Sequence, residues 1–173
     1  SGGYRFVATK TKSIEKVDDL KGLELARRMS PADYHLLTGL GVKIDKNNKK
    51  AGKDGRVTVY STYLNSVEEK KTPIVNALNH GLQFTAIIIN KKSLARISAQ
   101  DQKIIKEAAK KAAVLERNLA IQAQTEIEND FAKRNLKLVK FPEAEYQKMK
   151  KLSEQMDWSY MKIPSDLYEK IQR

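Results

Sequence analysis

One long uninterrupted helix restricts the fold of this chain more than any other feature of its sequence. Ser98 predicts an N-cap, because a serine hydroxyl can accept a hydrogen bond from the backbone N–H three residues later, here that of Asp101. No proline or glycine occurs in residues 98–135, so the helix would extend over about 55 Å at 1.5 Å per residue. That is longer than a small domain is wide. We therefore expect a helix that spans two lobes or pairs with another helix.

Apolar residues recur along this helix at steps of three and four, which keeps them on one face. They are Ile104, Ala108, Ala112, Leu115, Leu119, Ala123, Ile127 and Phe131. Just before the helix, residues 81–90 are rich in β-branched and aromatic side chains and predict a strand. Residues 91–97 predict the turn that connects this strand to the helix.

The rest of the sequence predicts alternating strands and helices. The predicted strands are residues 4–9, 23–27, 56–60 and 136–141, and the predicted helices are residues 13–20, 30–39, 64–78, 143–157 and 164–173. This order predicts an α/β protein with a mixed or partly parallel sheet. We expect a lobe in residues 1–97 with a mobile basic loop near 43–56. Residues 98–135 would form a spine helix, and residues 136–173 would pack back on the lobe.

The composition excludes some functions and leaves others open. Cysteine is absent, which removes disulfides, thiolate catalysis and cysteine-ligated metals. The formal net charge of +12 is spread over many lysines, often beside acidic residues, and this favours a solvated basic surface. The alternative is a binding patch for phosphates, anionic lipids or acidic small molecules, for which the densest candidate is residues 43–53.

Few residues could carry catalysis. The chain has two histidines, His35 and His80, and neither lies in a known catalytic or metal-binding motif. We expect His35 at the surface or at its boundary, and His80 hydrogen-bonded to backbone at the start of a buried strand. We therefore predict no catalytic residues, no cofactor and no metal, and we interpret the chain as a non-enzyme.

Two arginines at strand positions are better candidates for a binding site. Arg5 lies in the first predicted strand and Arg27 ends the second. A guanidinium there can hold a carboxylate through two parallel hydrogen bonds, which lysine cannot match. The alternative is an internal salt bridge to a nearby acid such as Glu24 or Asp33. The residues alone leave both interpretations open.

Four stretches resemble a known family in their order along the chain. They are Gly3-Tyr4-Arg5 followed by Asp18-Asp19-Leu20-Lys21-Gly22-Leu23, Gly39-Leu40-Gly41, Asp54-Gly55, and residues 76–90 with the turn and the long helix after them. This pattern resembles the extracytoplasmic solute receptors of tripartite ATP-independent periplasmic (TRAP) transporters, in particular the group that binds four-carbon dicarboxylates.

The resemblance implies the C-terminal portion of a two-lobed, periplasmic-binding-protein-like receptor that closes on a small organic acid. An arginine would clamp the carboxylate, and Arg5 matches the family's first-strand arginine. The second arginine of the family falls at Ala26, so Arg27 would be its nearest substitute, with Arg28 helping. The ligand-facing asparagine of the family falls at Thr58.

The resemblance also implies partners and a location. The receptor would lie in the periplasm or another extracytoplasmic space and deliver a small carboxylate to the membrane subunits of a TRAP transporter. The family's N-terminal region, which supplies most of one lobe, has no counterpart in this sequence. A long helix with one side uncovered favours a homodimer.

The alternative function is a basic interaction module, in which the long helix and residues 43–53 bind nucleic acid or a protein partner. Residues 43–56 contain no aromatic side chain to stack on bases, so a nucleic-acid partner is not expected. Phosphate binding would weaken steeply with salt, and this dependence separates the two interpretations.

Overall fold

A mixed β-sheet forms the centre of the molecule. The computed structural model describes residues 3–26, 29–45, 52–64 and 70–162. Within them the strands are β1 Gly3–Thr9, β2 Glu24–Ala26, β3 Lys43–Asp45, β4 Gly55–Val59, β5 Ile74–Ala77, β6 Leu82–Gln83 and β7 Lys137–Lys140. The sheet order is β3-β2-β4-β1-β5-β7, and β6 pairs with the start of β1.

Strand β1 lies in the middle of this sheet and runs against its neighbours. It pairs antiparallel with β4, β5 and β6, whereas β2 is parallel to both β3 and β4, and β5 is parallel to β7. The prediction of an α/β fold with a partly parallel sheet is therefore confirmed.

The helices are α1 Pro31–Gly39, α2 Tyr60–Tyr63, α3 Lys91–Leu94, α4 Ala99–Asp130 and α5 Glu143–Glu154. Helix α1 begins where the sequence predicts, with Pro31 in its first turn. The backbone N–H of Asp33 donates to Ser30 Oγ at 3.1 Å, and the backbone N–H of Ser30 donates to Asp33 Oδ2 at 3.0 Å. This reciprocal capping box fixes the position of Asp33 at the helix start.

Apolar side chains cover both faces of the sheet. Successive side chains of a strand point to opposite faces, so Phe6 and Val7 of β1 belong to different cores. One core contains Val7 with Leu37 of α1 and Met149 of α5. The other contains Phe6 with the rings of Tyr60, Tyr63 and Phe131. The second half of β1, residues 6–9, is therefore buried from both sides, whereas Arg5 lies at the less buried end of the strand.

One predicted helix is wrong at its C-terminal end, and another is shorter than predicted. Residues 74–77 lie in the predicted helix 64–78 but form β5, because β1 and β7 offer hydrogen-bonding partners on both sides and Ile74 and Val75 are β-branched. Residues 65–69 of that range lie outside the described part. In residues 13–20 only Val17–Leu20 is helical, as a short 3-10 turn.

Other predictions are settled only in part. The predicted loop at residues 43–56 contains β3 and the first residues of β4, while its residues 46–51 lie outside the described ranges. The predicted C-terminal helix from Pro164 also lies outside them. Helix α5 and strand β7 are confirmed, although α5 ends at Glu154.

The predicted strand at residues 81–90 is mostly wrong. Only Leu82–Gln83 pairs, with β1, and residues 84–90 have no regular secondary structure. An extended segment needs a neighbouring strand to satisfy its backbone groups, and the described residues supply none here. Phe84 is 78% exposed and Ile88 is 89% exposed.

The long helix is confirmed as α4, which has 32 residues and is capped by Ser98 as predicted. Its apolar stripe is exposed: Leu115 is 61% and Leu119 is 54% accessible. The helix meets the lobe near its C-terminal end, where Phe131 is buried with its ring centroid 5.8 Å from that of Tyr60. Within the described residues, no helix combines the length and apolar composition that a membrane crossing needs.

Candidate functional site

A cavity of about 250 Å³ lies beside the ends of the central strands. Its lining includes Arg5, Thr58 and Val59, and it also includes Met29, three residues after β2 ends. Ligands in open α/β sheets bind outside the carboxyl ends of parallel strands, and β2 and β4 are parallel neighbours. We call this space the strand-end cavity.

Arg5 also lines a second cavity, of about 230 Å³, on the side of helix α1. There Arg5 Nε lies 2.8 Å from Asp33 Oδ2, and the Asp33 side chain is 4% exposed. The internal salt bridge left open by the sequence is therefore present. A guanidinium has five N–H donors, so pairing through Nε leaves the two terminal amino groups for another acceptor.

Three groups hold Asp33 in its ionised form. Burial alone would raise the pKa of the Asp33 carboxyl, but the His80 and Ser30 contacts and the charge of Arg5 hold the pKa below its ordinary value. Ser30 Oγ donates to Oδ2 at 2.6 Å, and His80 Nε2 lies 3.3 Å from Oδ1. Arg5 is therefore oriented by an acid that is itself fixed at a capped helix start.

The structure brings two of the predicted site residues together. Thr58 is buried in β4, pairs in register with Phe6 of β1, and lines the strand-end cavity with Arg5. Arg27 and Arg28 lie outside the described residues, so their predicted roles remain predictions.

Arg56 is a residue of the candidate site that the sequence did not indicate. It is half-buried and lines the strand-end cavity together with Arg5. Leu25 of β2 pairs with Gly55 of β4, which makes Ala26 and Arg56 the next neighbours along the two parallel strands. The signal was the two-residue period of a strand, which places Arg56 on the same face as Thr58. The Arg56 backbone therefore lies beside that of Ala26, the position at which the family resemblance predicts an arginine.

Asp54 and two glycines fix the geometry of these strands. The backbone N–H of Glu24 donates to Asp54 Oδ2 at 2.7 Å and so joins β2 to the start of β4. A Cβ on Gly55 would lie 2.1 Å from the Ala8 carbonyl oxygen, and a Cβ on Gly52 would lie 2.3 Å from the Ala26 nitrogen. Only glycine permits this close approach of the backbones.

The two histidines occupy different surroundings. His80 is directed at Asp33 rather than at the backbone acceptor that the sequence led us to expect. His35 is half-buried, with its ring centroid 4.8 Å from that of Trp158 and 4.9 Å from that of Tyr160. In the described part of the chain, no cluster of three or more histidine, aspartate or glutamate side chains could hold a metal ion.

Solved structures of periplasmic solute-binding proteins share this fold. The TRAP protein from Ralstonia eutropha H16, with bound (S)-2-acetolactate, has a TM-score of 0.73 and 20% identity, covering 88% of this chain and 53% of that one. The sugar acid binding protein from Advenella mimigardefordensis, in complex with galactonate, has a TM-score of 0.71 and 20% identity, covering 87% and 51%. The TRAP protein from Desulfovibrio desulfuricans, with bound sn-glycerol-3-phosphate, has a TM-score of 0.72 and 19% identity, covering 88% and 51%.

The family follows from the sequence match. Residues 53–162 match the family described as bacterial extracellular solute-binding protein, family 7. The match covers more than half of the chain, and the chain therefore belongs to that family, a family of transport proteins rather than enzymes. The chain spans about half the length of the similar solved structures. No curated protein matches it in sequence.

Proposed function

We propose that this chain is the C-terminal part of a TRAP-type receptor that binds a small organic anion outside the cytoplasm and delivers it to membrane subunits. Family membership and the shared fold support the class of function. The observation that supports the ligand class is a cavity at the strand ends that Arg5 and Arg56 both line. Two guanidinium groups favour a carboxylate or phosphate over a neutral solute.

The polar groups around the cavity favour an anion that also carries hydroxyl groups. Thr58, Thr62 and Gln83 line the same space and offer neutral hydrogen-bonding groups beside the two arginines. The similar structures hold acetolactate, galactonate and glycerol phosphate. We therefore propose a hydroxy acid, sugar acid or phosphate ester as the first ligand class, with four-carbon dicarboxylates as a narrower candidate.

Arg5 would donate to the ligand through its terminal amino groups, while Asp33 holds its Nε edge. Arg27 and Arg28 would assist from the segment that leads to Met29, which lines the cavity. Binding would shift the population of open and closed lobes, and no covalent bond would form or break. The second lobe would come from polypeptide outside these 173 residues.

A thermal-shift panel tests this proposal. The acids would be galactonate, galacturonate, acetolactate, succinate, malate and sn-glycerol-3-phosphate. A ligand at a hundred times its dissociation constant adds about 2.7 kcal/mol to the free energy of unfolding. Arg5→Ala should abolish the shift, whereas Arg117→Ala, on the exposed surface of α4, should preserve it.

Arg5→Ala also removes the partner of Asp33, so the quantity to compare is the ligand-induced shift and not the melting temperature itself. Arg5→Lys keeps the charge and loses the fork of donors, and we expect it to retain only part of the shift. A flat response of the unmodified protein to every acid would contradict the proposal.

A further inference from the structure

His80 is a buried titratable group to which the proposed function assigns no role. Its side chain is fully buried, and its Nε2 lies 3.3 Å from Asp33 Oδ1. The other oxygen of the same carboxylate lies 2.8 Å from Arg5 Nε. One carboxylate therefore contacts both the imidazole and the arginine that lines the strand-end cavity.

The charges of this cluster change when an anion arrives. With a neutral His80, Arg5 and Asp33 cancel each other. A ligand carboxylate on the outer edge of Arg5 adds one negative charge, and a net charge in a poorly solvated cluster is unfavourable. A proton on His80 restores neutrality. The imidazole can accept this proton because it already contacts Asp33, whose negative charge would otherwise be uncompensated once Arg5 pairs with the ligand.

We propose that His80 is a proton-binding site coupled to the anion site, so that the receptor takes up a proton when it binds its acidic ligand. This inference rests on the proposed function. Coupling is reciprocal, so if the anion favours the protonated imidazole, the protonated imidazole favours the anion to the same extent.

The surroundings of His80 support this assignment. Among the described residues that line its cavity, Arg5 from β1 and Asp33 from α1 carry charge, and the other lining residues are uncharged. Asp33 stays ionised at neutral pH, because its contacts with His80, Ser30 and Arg5 outweigh the opposing effect of burial and keep the pKa of its carboxyl low. Histidine is the side-chain type whose charge ordinarily changes between about pH 5 and 8, and among the described residues that line this cavity His80 is the one histidine.

The direction of the effect follows from the sign of the coupling. A group that gains a proton on binding makes binding tighter below its titration range and weaker above it. We expect the affinity for the anion to rise as the pH falls from about 8 to about 6, by at most about tenfold per pH unit for one proton. A ligand carboxylate does not titrate in this window. A phosphate ester does, because its second pKa is about 6, so the test uses a carboxylic acid.

Isothermal titration calorimetry of galactonate, or of whichever carboxylic acid of the panel binds, measures the proton directly. The titration is run at one pH in PIPES and in bis-Tris, whose ionisation enthalpies differ, and the difference in heat gives the number of protons taken up. We expect net uptake by the unmodified protein and none by His80→Gln. His35→Gln is the matched control, since the chain has only two histidines, and it should keep the full uptake.

Nuclear magnetic resonance of the unmodified protein provides a second measurement that needs no variant to fold. The Cε1–H signal of His80 should titrate at a higher pH when the ligand is present, while that of His35 should not move. Binding without proton uptake, or uptake that persists in His80→Gln, would overturn this inference and leave the proposed function intact. Failure of every acid to bind would overturn the proposed function, and this inference with it.

Discussion

Two regions of this molecule differ in how far their apolar side chains are buried. In the lobe, formed by the central sheet with α1, α2 and α5, Phe6 and Leu37 are completely buried. In the region that we call the arm, residues 84–130, Phe84 is 78% exposed and Leu115 is 61% exposed. The chain thus combines a lobe with a buried core on each face of its sheet and one apolar surface without a cover among the described residues.

This difference shows that a sequence can encode an apolar helix face or strand without supplying the surface that buries it. The arm has the same signals as the lobe: an extended β-branched segment and a helix with an apolar stripe at steps of three and four. A large exposed apolar surface usually marks an interaction site. Because the chain spans about half the length of similar structures, we expect polypeptide outside it to cover the arm.

The largest expected effect tests the comparison with one substitution in both regions. Leu37→Ala in the lobe should lower the free energy of unfolding by about 2–5 kcal/mol, because it empties a packed site. Leu115→Ala in the arm should change it by less than about 0.5 kcal/mol, because its side chain already faces solvent. Urea denaturation of both variants measures the difference. Equal losses would mean that the arm is packed in solution.

The same contrast explains which elements could be predicted from the sequence. Helix α4 and the start of α1 were predictable because caps and helical spacing are local signals. Strand β5 was not, because residues 74–77 become a strand through pairing with β1 and β7, which are distant in sequence. The strand predicted over residues 84–90 is wrong for the opposite reason. The local β signal is present, but the described residues offer no partner strand.

The residues of the candidate site also fall into those that the sequence indicates and those that only the fold reveals. Arg5 and Thr58 could be selected from the family resemblance, and both line one cavity. Arg56 becomes evident only once β2 and β4 are known to be parallel neighbours. The position of His80 beside Asp33 needs the packing of α1 on the sheet, which no pattern within either segment encodes.

The next effect concerns the ion pair inside the lobe. Asp33→Asn keeps the shape of the side chain but removes the charge that Arg5 contacts, and it should cost about 1–3 kcal/mol at pH 7. Glu107→Gln, on the exposed surface of α4, should cost less than about 0.5 kcal/mol. Chemical denaturation at neutral pH compares the two. A negligible loss for Asp33→Asn would show that the pair does not stabilise the lobe.

The pH dependence of this pair has a definite sign. The pKa of Asp33 is lowered in the folded protein because the His80, Ser30 and Arg5 contacts outweigh the opposing effect of burial. A lowered folded pKa contributes stability that is present above the unfolded value of about 3.9 and is lost as the pH falls through the folded value. Asp33→Asn should therefore lose less stability than the unmodified protein between neutral and acidic pH. Parallel acid profiles would contradict this assignment.

The smallest expected change in stability tests the arm as a contact surface. The double variant Phe84→Ser and Ile88→Ser should leave the melting temperature of the lobe almost unchanged, because both side chains are exposed. If the uncovered arm drives the predicted homodimer, the variant should weaken self-association by tenfold or more in sedimentation velocity.

Tyr34→Ser, which removes a 49% exposed ring from α1 of the lobe, is the control and should leave association unchanged. A monomeric unmodified chain, or a variant that associates as strongly, would show that the arm does not pair with its own copy. The cover would then have to come from polypeptide outside these 173 residues, as the half-length match to the solved structures leads us to expect.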